Sequence, residues 1–136
     1  MTGYSFRLFA GALVLAIVVT VPLGAHHSFA SIYDIDKPIT VTGTVSKIQW
    51  SNPHVYFFID VKGDAGDVTT WGFETAPITA IARQGWTRYS VKVGEVVTAE
   101  GYRARDGSNL ASARVIRTSD GRKLFAGSPG DGGPSK

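Results

Sequence analysis

The stretch ITVTGTVSKIQW, residues 39–50, decides the fold, because it is a long run of β-forming residues with two alternation patterns. Its first apolar residues share one face at a spacing of two, with threonine and serine opposite: Ile39, Val41 and Val45. Ile48 and Trp50 have the opposite parity, which predicts a bulge or bend near Ser46-Lys47. A small closed barrel needs a long, bent first strand of this kind, because that strand contributes to both sides of the barrel.

The patterns downstream of this strand predict four more strands and one short helix. We expect strands over 54–61, 68–74, 96–103 and 110–118, a helix near 77–85, and a short closing edge over 122–125. Alternation in the second strand predicts three core residues: Val55, Phe57 and Ile59. Three strands, a helix and two strands is the element order of an OB-type barrel. The predicted fold is therefore all-β with one short helix, a small five-stranded OB-like barrel; a sandwich-like or open meander is the alternative.

The first 25 residues have the pattern of an export signal, with Arg7, an apolar run over 8–21 and small residues up to Ala25. The run is shorter than the roughly 20 apolar residues of a membrane span. We therefore expect cleavage after Ala25, a periplasmic or secreted protein, and no stable membrane anchor after cleavage; an uncleaved N-terminal anchor is the alternative. The predicted organisation is a signal peptide over 1–25, an extended lead-in over 26–38, the OB-like barrel domain over 39–126 and a disordered tail over 127–136.

Charge and composition exclude several classes of partner and site. The formal net charge is +3, and basic residues are scattered among acids, so no nucleic-acid partner is expected. The chain has no cysteine, which excludes disulfides, thiolate metal sites and cysteine nucleophiles. The acidic residues form no pair whose spacing indicates acid–base catalysis, and no serine–histidine–aspartate order can be defended. We therefore predict no catalytic residues and expect a binding protein rather than an enzyme.

Two of the three histidines, His26 and His27, would begin the processed chain. A free α-amine and the Nδ1 of the first imidazole can chelate one Cu(II), because both are partly deprotonated at neutral pH and Cu(II) favours nitrogen-rich tetragonal sites. His54, which opens the second strand, is the candidate third ligand. His27 could act instead through the amine, its own amide nitrogen and its imidazole, whereas zinc lacks an obvious fourth ligand. The predicted copper ligands are therefore His26, His27 and His54; a frayed polar terminus and a surface histidine are the competing interpretation.

Tyr56 and Phe58 lie on the face of the second strand opposite the core positions. In OB folds, the face of strands two and three binds ligands, and aromatic side chains provide stacking surfaces. We favour the interpretation that the lead-in or the helix covers this face. The predicted function is a periplasmic copper carrier or buffer, with a redox copper enzyme as the less favoured form of the same class, and the alternative is a non-metal OB-type module that binds a ligand or a protein.

Four motifs are distributed along the chain: AHHSF at 25–29, W-x-NPH at 50–54, GYRAxDGSN at 101–109 and DGRKLF at 120–125. Through these motifs the chain resembles a bacterial family of exported small proteins known only as a domain of unknown function. The resemblance covers nearly the whole processed chain. It implies a small periplasmic β-barrel and supplies no activity, cofactor or partner.

Overall fold

A computed structural model describes residues 25–128, with side chains from Phe29 onward. The elements are helix α1 Ala25–Ile32, strands β1 Tyr33–Trp50, β2 His54–Lys62 and β3 Val68–Pro77, helix α2 Ile78–Arg83, and strands β4 Val96–Ala104, β5 Leu110–Thr118 and β6 Lys123–Phe125. The predicted signal peptide, but for Ala25, and the part of the predicted tail after residue 128 lie outside the described residues. Within the described part of the chain, no helix is long and apolar enough to cross a membrane.

The strands form one mostly antiparallel sheet that closes into a ring of five. β1 pairs with β2 and β4, β2 with β3, and β4 with β5. A parallel pairing between β3 and β5 closes the ring, and the short β6 pairs with β5 at its edge. The helix α2 lies between the third and fourth strands in the chain. The predicted fold class, β-rich with one short helix after the third strand, is confirmed.

The first strand bends where the two alternation patterns meet. Its register with β2 shifts between Val45 and Lys47, as the sequence predicts. The N-terminal part of β1 pairs with β4 and the C-terminal part with β2, so one strand serves two neighbours. Gly43 makes this possible, because a Cβ there would lie 2.4 Å from the carbonyl oxygen of Asp60.

The core fills the inside of the ring. Val55, Phe57 and Ile59 are each at most 1% exposed, which confirms the predicted parity of β2. Phe57 stacks on Phe73 of β3, with ring centroids 5.5 Å apart and planes at 6°. The helix α2 adds the fully buried Ile81.

The lead-in differs from the extended segment predicted over 26–38. It is helical up to Ile32, and β1 then begins at Tyr33, six residues before the predicted start. Phe29 and Tyr33 are four residues apart, a spacing that brings side chains together on a helix, and their ring centroids are 5.4 Å apart. Arg105 caps the helix: its amide donates to the carbonyl of Ile32 and its Nε to that of Ala30, at 2.8 and 2.6 Å. These contacts come from a distant loop and carry no local sequence signal.

Candidate metal site

A row of polar residues crosses the ring on the face turned away from the core. Tyr56 of β2 is paired with Glu74 of β3, and Glu74 with Ser112 of β5. Ser112 is in turn paired with Tyr102 of β4. Because strand residues alternate between faces, and the neighbours Val55, Phe57 and Phe73 point inward, this row lies outside the core.

Glu74 is the centre of this row. His54 Nδ1 contacts its Oε1, and the Tyr33 hydroxyl donates to its Oε2. A carboxylate only accepts hydrogen bonds, so Nδ1 carries the proton in this pair. The side chain of Glu74 is 15% exposed and that of His54 is 29% exposed. The carboxylate is therefore enclosed, whereas part of the imidazole remains open to a ligand.

Two tyrosines keep their protons beside this carboxylate. Burial, followed by hydrogen bonding to Glu74 and its negative charge, raises the pKa of Tyr56 to about 12. The same causes in the same order, with a smaller contribution from Tyr56, raise the pKa of Tyr33 well above its usual range. A neutral phenol can donate a hydrogen bond, as the Tyr33 hydroxyl does to Glu74.

The loop before His54 is tied to helix α2. The carbonyl of Pro53 accepts a hydrogen bond from the amide of Ile78 at 2.9 Å. His54 itself is opposite Pro77 in the β2–β3 ladder, with a register irregularity before Tyr56. His54 is thus the first residue of β2, and a backbone hydrogen bond fixes the residue before it.

Helix α1 lies against the same outer face. The ring of Phe29 contacts Tyr33 and also Tyr102, whose centroid is 6.4 Å away in an edge-on arrangement. Tyr33 follows α1 directly and reaches Glu74. The C-terminal half of α1 is therefore anchored beside the carboxylate that holds His54.

The three predicted ligands fall into two groups. His54 contacts Glu74, which also accepts a hydrogen bond from Tyr33, as described above. His26 and His27 lie in α1, where the structure describes their backbone and not their side chains. Among the described residues, no group of three or more His, Asp and Glu side chains has the geometry of a metal site. The three-histidine site stays a prediction.

Two residues beside His54 were not predicted as site residues from the sequence: Glu74 and Tyr33. One signal for Glu74 was present: Trp71 and Phe73 predict the inward parity of β3, so Glu74 faces outward, as His54 does on β2. No comparable signal existed for Tyr33, which is 41 residues from Glu74 in the chain.

The aromatic face is only partly open. Tyr56 is paired with Glu74 across the β2–β3 ladder and is partly buried. Phe58 is covered by Lys47, whose Nζ is 5.3 Å from the ring centroid, and it packs where a Cβ on Gly72 would lie 3.3 Å from its Cε1. Both contacts of Phe58 come from the neighbouring strands β1 and β3, so the interpretation that the lead-in or the helix covers this face stays a prediction.

A model of a family of unknown function, DUF6152, matches residues 14–113. No curated protein and no solved structure matches the chain.

Proposed function

The chain belongs to the DUF6152 family, and we propose that this member is an exported copper-binding protein with a carrier or buffer role. The proposed ligands are the α-amine and imidazole of His26, after cleavage at Ala25, and the imidazole of His54, with His27 as the alternative donor. One observation supports the proposal most. His54 uses Nδ1 toward Glu74, which leaves Nε2 as the nitrogen for a metal, in the carboxylate–histidine arrangement typical of metal-binding imidazoles.

The position of α1 supports the proposed ligands at the processed N-terminus. The Phe29 ring lies 5.4 Å from the Tyr33 ring, and the Tyr33 hydroxyl is on Glu74. His26 is three positions before Phe29, and three residues span at most about 10–11 Å when extended. A processed terminus that remains attached to this anchor therefore begins near the face that carries Glu74 and His54.

The choice of metal follows from the donors. An α-amine and two imidazoles are three nitrogen ligands, which suit the tetragonal geometry that Cu(II) favours. A periplasmic or secreted location remains part of the proposal, since it rests on the export pattern of residues 1–25.

The test is a competitive Cu(II) titration of processed protein beginning at His26, compared with a variant that carries an extra Met before His26. The added residue moves the α-amine away from His26 and removes the amine–Nδ1 chelate, while all three imidazoles remain. We expect the processed form to bind one Cu(II) and the extended form to bind much more weakly. Equal affinities would end the chelate proposal.

Two further variants identify the second imidazole. His54→Ala should weaken binding by more than about 100-fold, because loss of a ligand exceeds the 10–100-fold effect of losing a group behind it. The matched control is His27→Ala, which should change affinity little if His54 is the ligand. The reverse result would assign the second imidazole to His27. If none of the proteins bound copper, the non-metal OB-type binding module would become the leading account.

A further inference from the structure

The contacts of Glu74 give it a role that neither its sequence position nor the family indicates. One carboxylate oxygen faces His54 Nδ1 and the other accepts from Tyr33. Both oxygens are therefore engaged, and the side chain is held from two strands, β1 and β2, while it projects from a third. A group restrained in this way cannot rotate without breaking a contact.

This restraint determines the chemical state of the imidazole. In a neutral histidine only one ring nitrogen carries a proton, and the other has a free lone pair. Because the Glu74 carboxylate can only accept, the proton is on Nδ1 and the lone pair is on Nε2. The 29% exposure of the His54 side chain, against 15% for Glu74, indicates that the open part of the pair belongs to the imidazole.

We infer that Glu74 is a positioning residue for the copper site: it fixes His54 in the Nδ1–H tautomer and orients Nε2 as the metal-binding atom. The inference rests on the proposed copper-binding function. The negative charge of Glu74 also strengthens the imidazole as a ligand, because it stabilises positive charge that develops on the ring when Nε2 donates to a metal.

The first test needs no copper. In ¹⁵N NMR spectra of processed wild-type protein, recorded at rising pH until the imidazole signals stop changing, His54 should show a protonated Nδ1 and an unprotonated Nε2. Assignment is simple because the chain has three histidines, and the His54→Ala variant identifies the signal. A protonated Nε2 would overturn the inference directly.

The second test uses Glu74→Gln, which keeps the size of the side chain and removes its charge. We expect Cu(II) affinity to fall by about 10–100-fold, the range for losing a group behind a metal-binding histidine. Pulsed EPR of the copper-loaded protein should show a shift in the quadrupole frequencies of the remote imidazole nitrogen, because the hydrogen bond that Nδ1–H donates to residue 74 weakens when the acceptor loses its charge. A residue that merely supported the fold would not produce this spectral change.

Tyr33→Phe is the matched control. It removes one donor from the same carboxylate and leaves the contact between His54 and Glu74 in place. We expect the remote-nitrogen frequencies of this variant to equal those of the wild type. If Glu74→Gln left both affinity and spectrum unchanged while the wild type bound copper, the inference would fail and the proposed function would stand. If the wild type bound no copper, the proposed function would fail, and the role assigned to Glu74 at a copper site would fail with it.

Discussion

The change Phe57→Ala tests the architecture of the ring through a buried aromatic residue of its second strand. Phe57 is 1% exposed and stacks on Phe73, with centroids 5.5 Å apart. Burying such a side chain contributes about 1.5–3 kcal/mol, and an aromatic pair adds roughly 0.5–1.5 kcal/mol. Alanine also leaves a cavity between two paired strands. The free energy of unfolding should therefore fall by about 3–5 kcal/mol, the usual range for removing a buried phenylalanine.

The assay is urea unfolding of the processed protein, with Phe58→Ala as the matched control. Phe58 is the next residue on the strand but faces outward under Lys47, so its loss should remove only about 1–2 kcal/mol. If Phe57→Ala is too unstable to measure, Phe57→Leu replaces it, and its free energy of unfolding should fall by about 1–2 kcal/mol. A loss below about 1 kcal/mol for Phe57→Ala, or a larger loss for Phe58→Ala, would show that the two faces of β2 are reversed.

Three further predictions follow from single contacts. Gly101→Ala should reduce the free energy of unfolding by roughly 1–3 kcal/mol, because a Cβ there would lie 2.0 Å from the Ser112 carbonyl; an unchanged urea midpoint would contradict this close approach. The free energy of unfolding should decline as pH rises from 10 to 12, because the unfolded chain loses the Tyr56 proton first and the folded chain retains it to about pH 12. Urea midpoints measured across that window should fall less for Tyr56→Phe than for the wild type. An equal fall would refute the raised pKa of Tyr56. Arg105→Ala should speed amide exchange in α1 about fivefold, measured by mass spectrometry, because the Ala30 carbonyl loses its donor; exchange at the wild-type rate would refute this capping role.

Much of the ring could be predicted because its signals are local. The change of parity between Val45 and Ile48 predicts the bulge, and the register shift occurs there. The alternation around Phe57 predicts which face is buried, and the glycine and proline boundaries predict α2 to within two residues. These features depend on the side-chain period of a strand or on the turn residues beside it, both of which can be read from neighbouring residues.

The start of the ring could not be predicted in the same way. The acidic and proline residues over 34–38 are typical of a turn, yet the structure continues β1 through them, with an irregularity between Tyr33 and Pro38 in its pairing with β4. Helix α1 depends on Arg105, more than 70 residues away, for two of its C-terminal hydrogen bonds. Tertiary contacts override local preference at such a position, and a single sequence does not contain the distances that decide it.

The candidate site shows the same division between local and distant information. The outward parity of His54 was available from β2 alone, and that of Glu74 from β3 alone. What joins them is the register of the β2–β3 hairpin, which pairs Tyr56 with Glu74 and His54 with Pro77 and leaves the imidazole in contact with the carboxylate. A shift of one residue would turn Glu74 toward the core and leave His54 without its partner. The metal-binding role proposed for His54 therefore depends on strand register as much as on the histidine itself, and Glu74 is the residue at which that dependence can be measured.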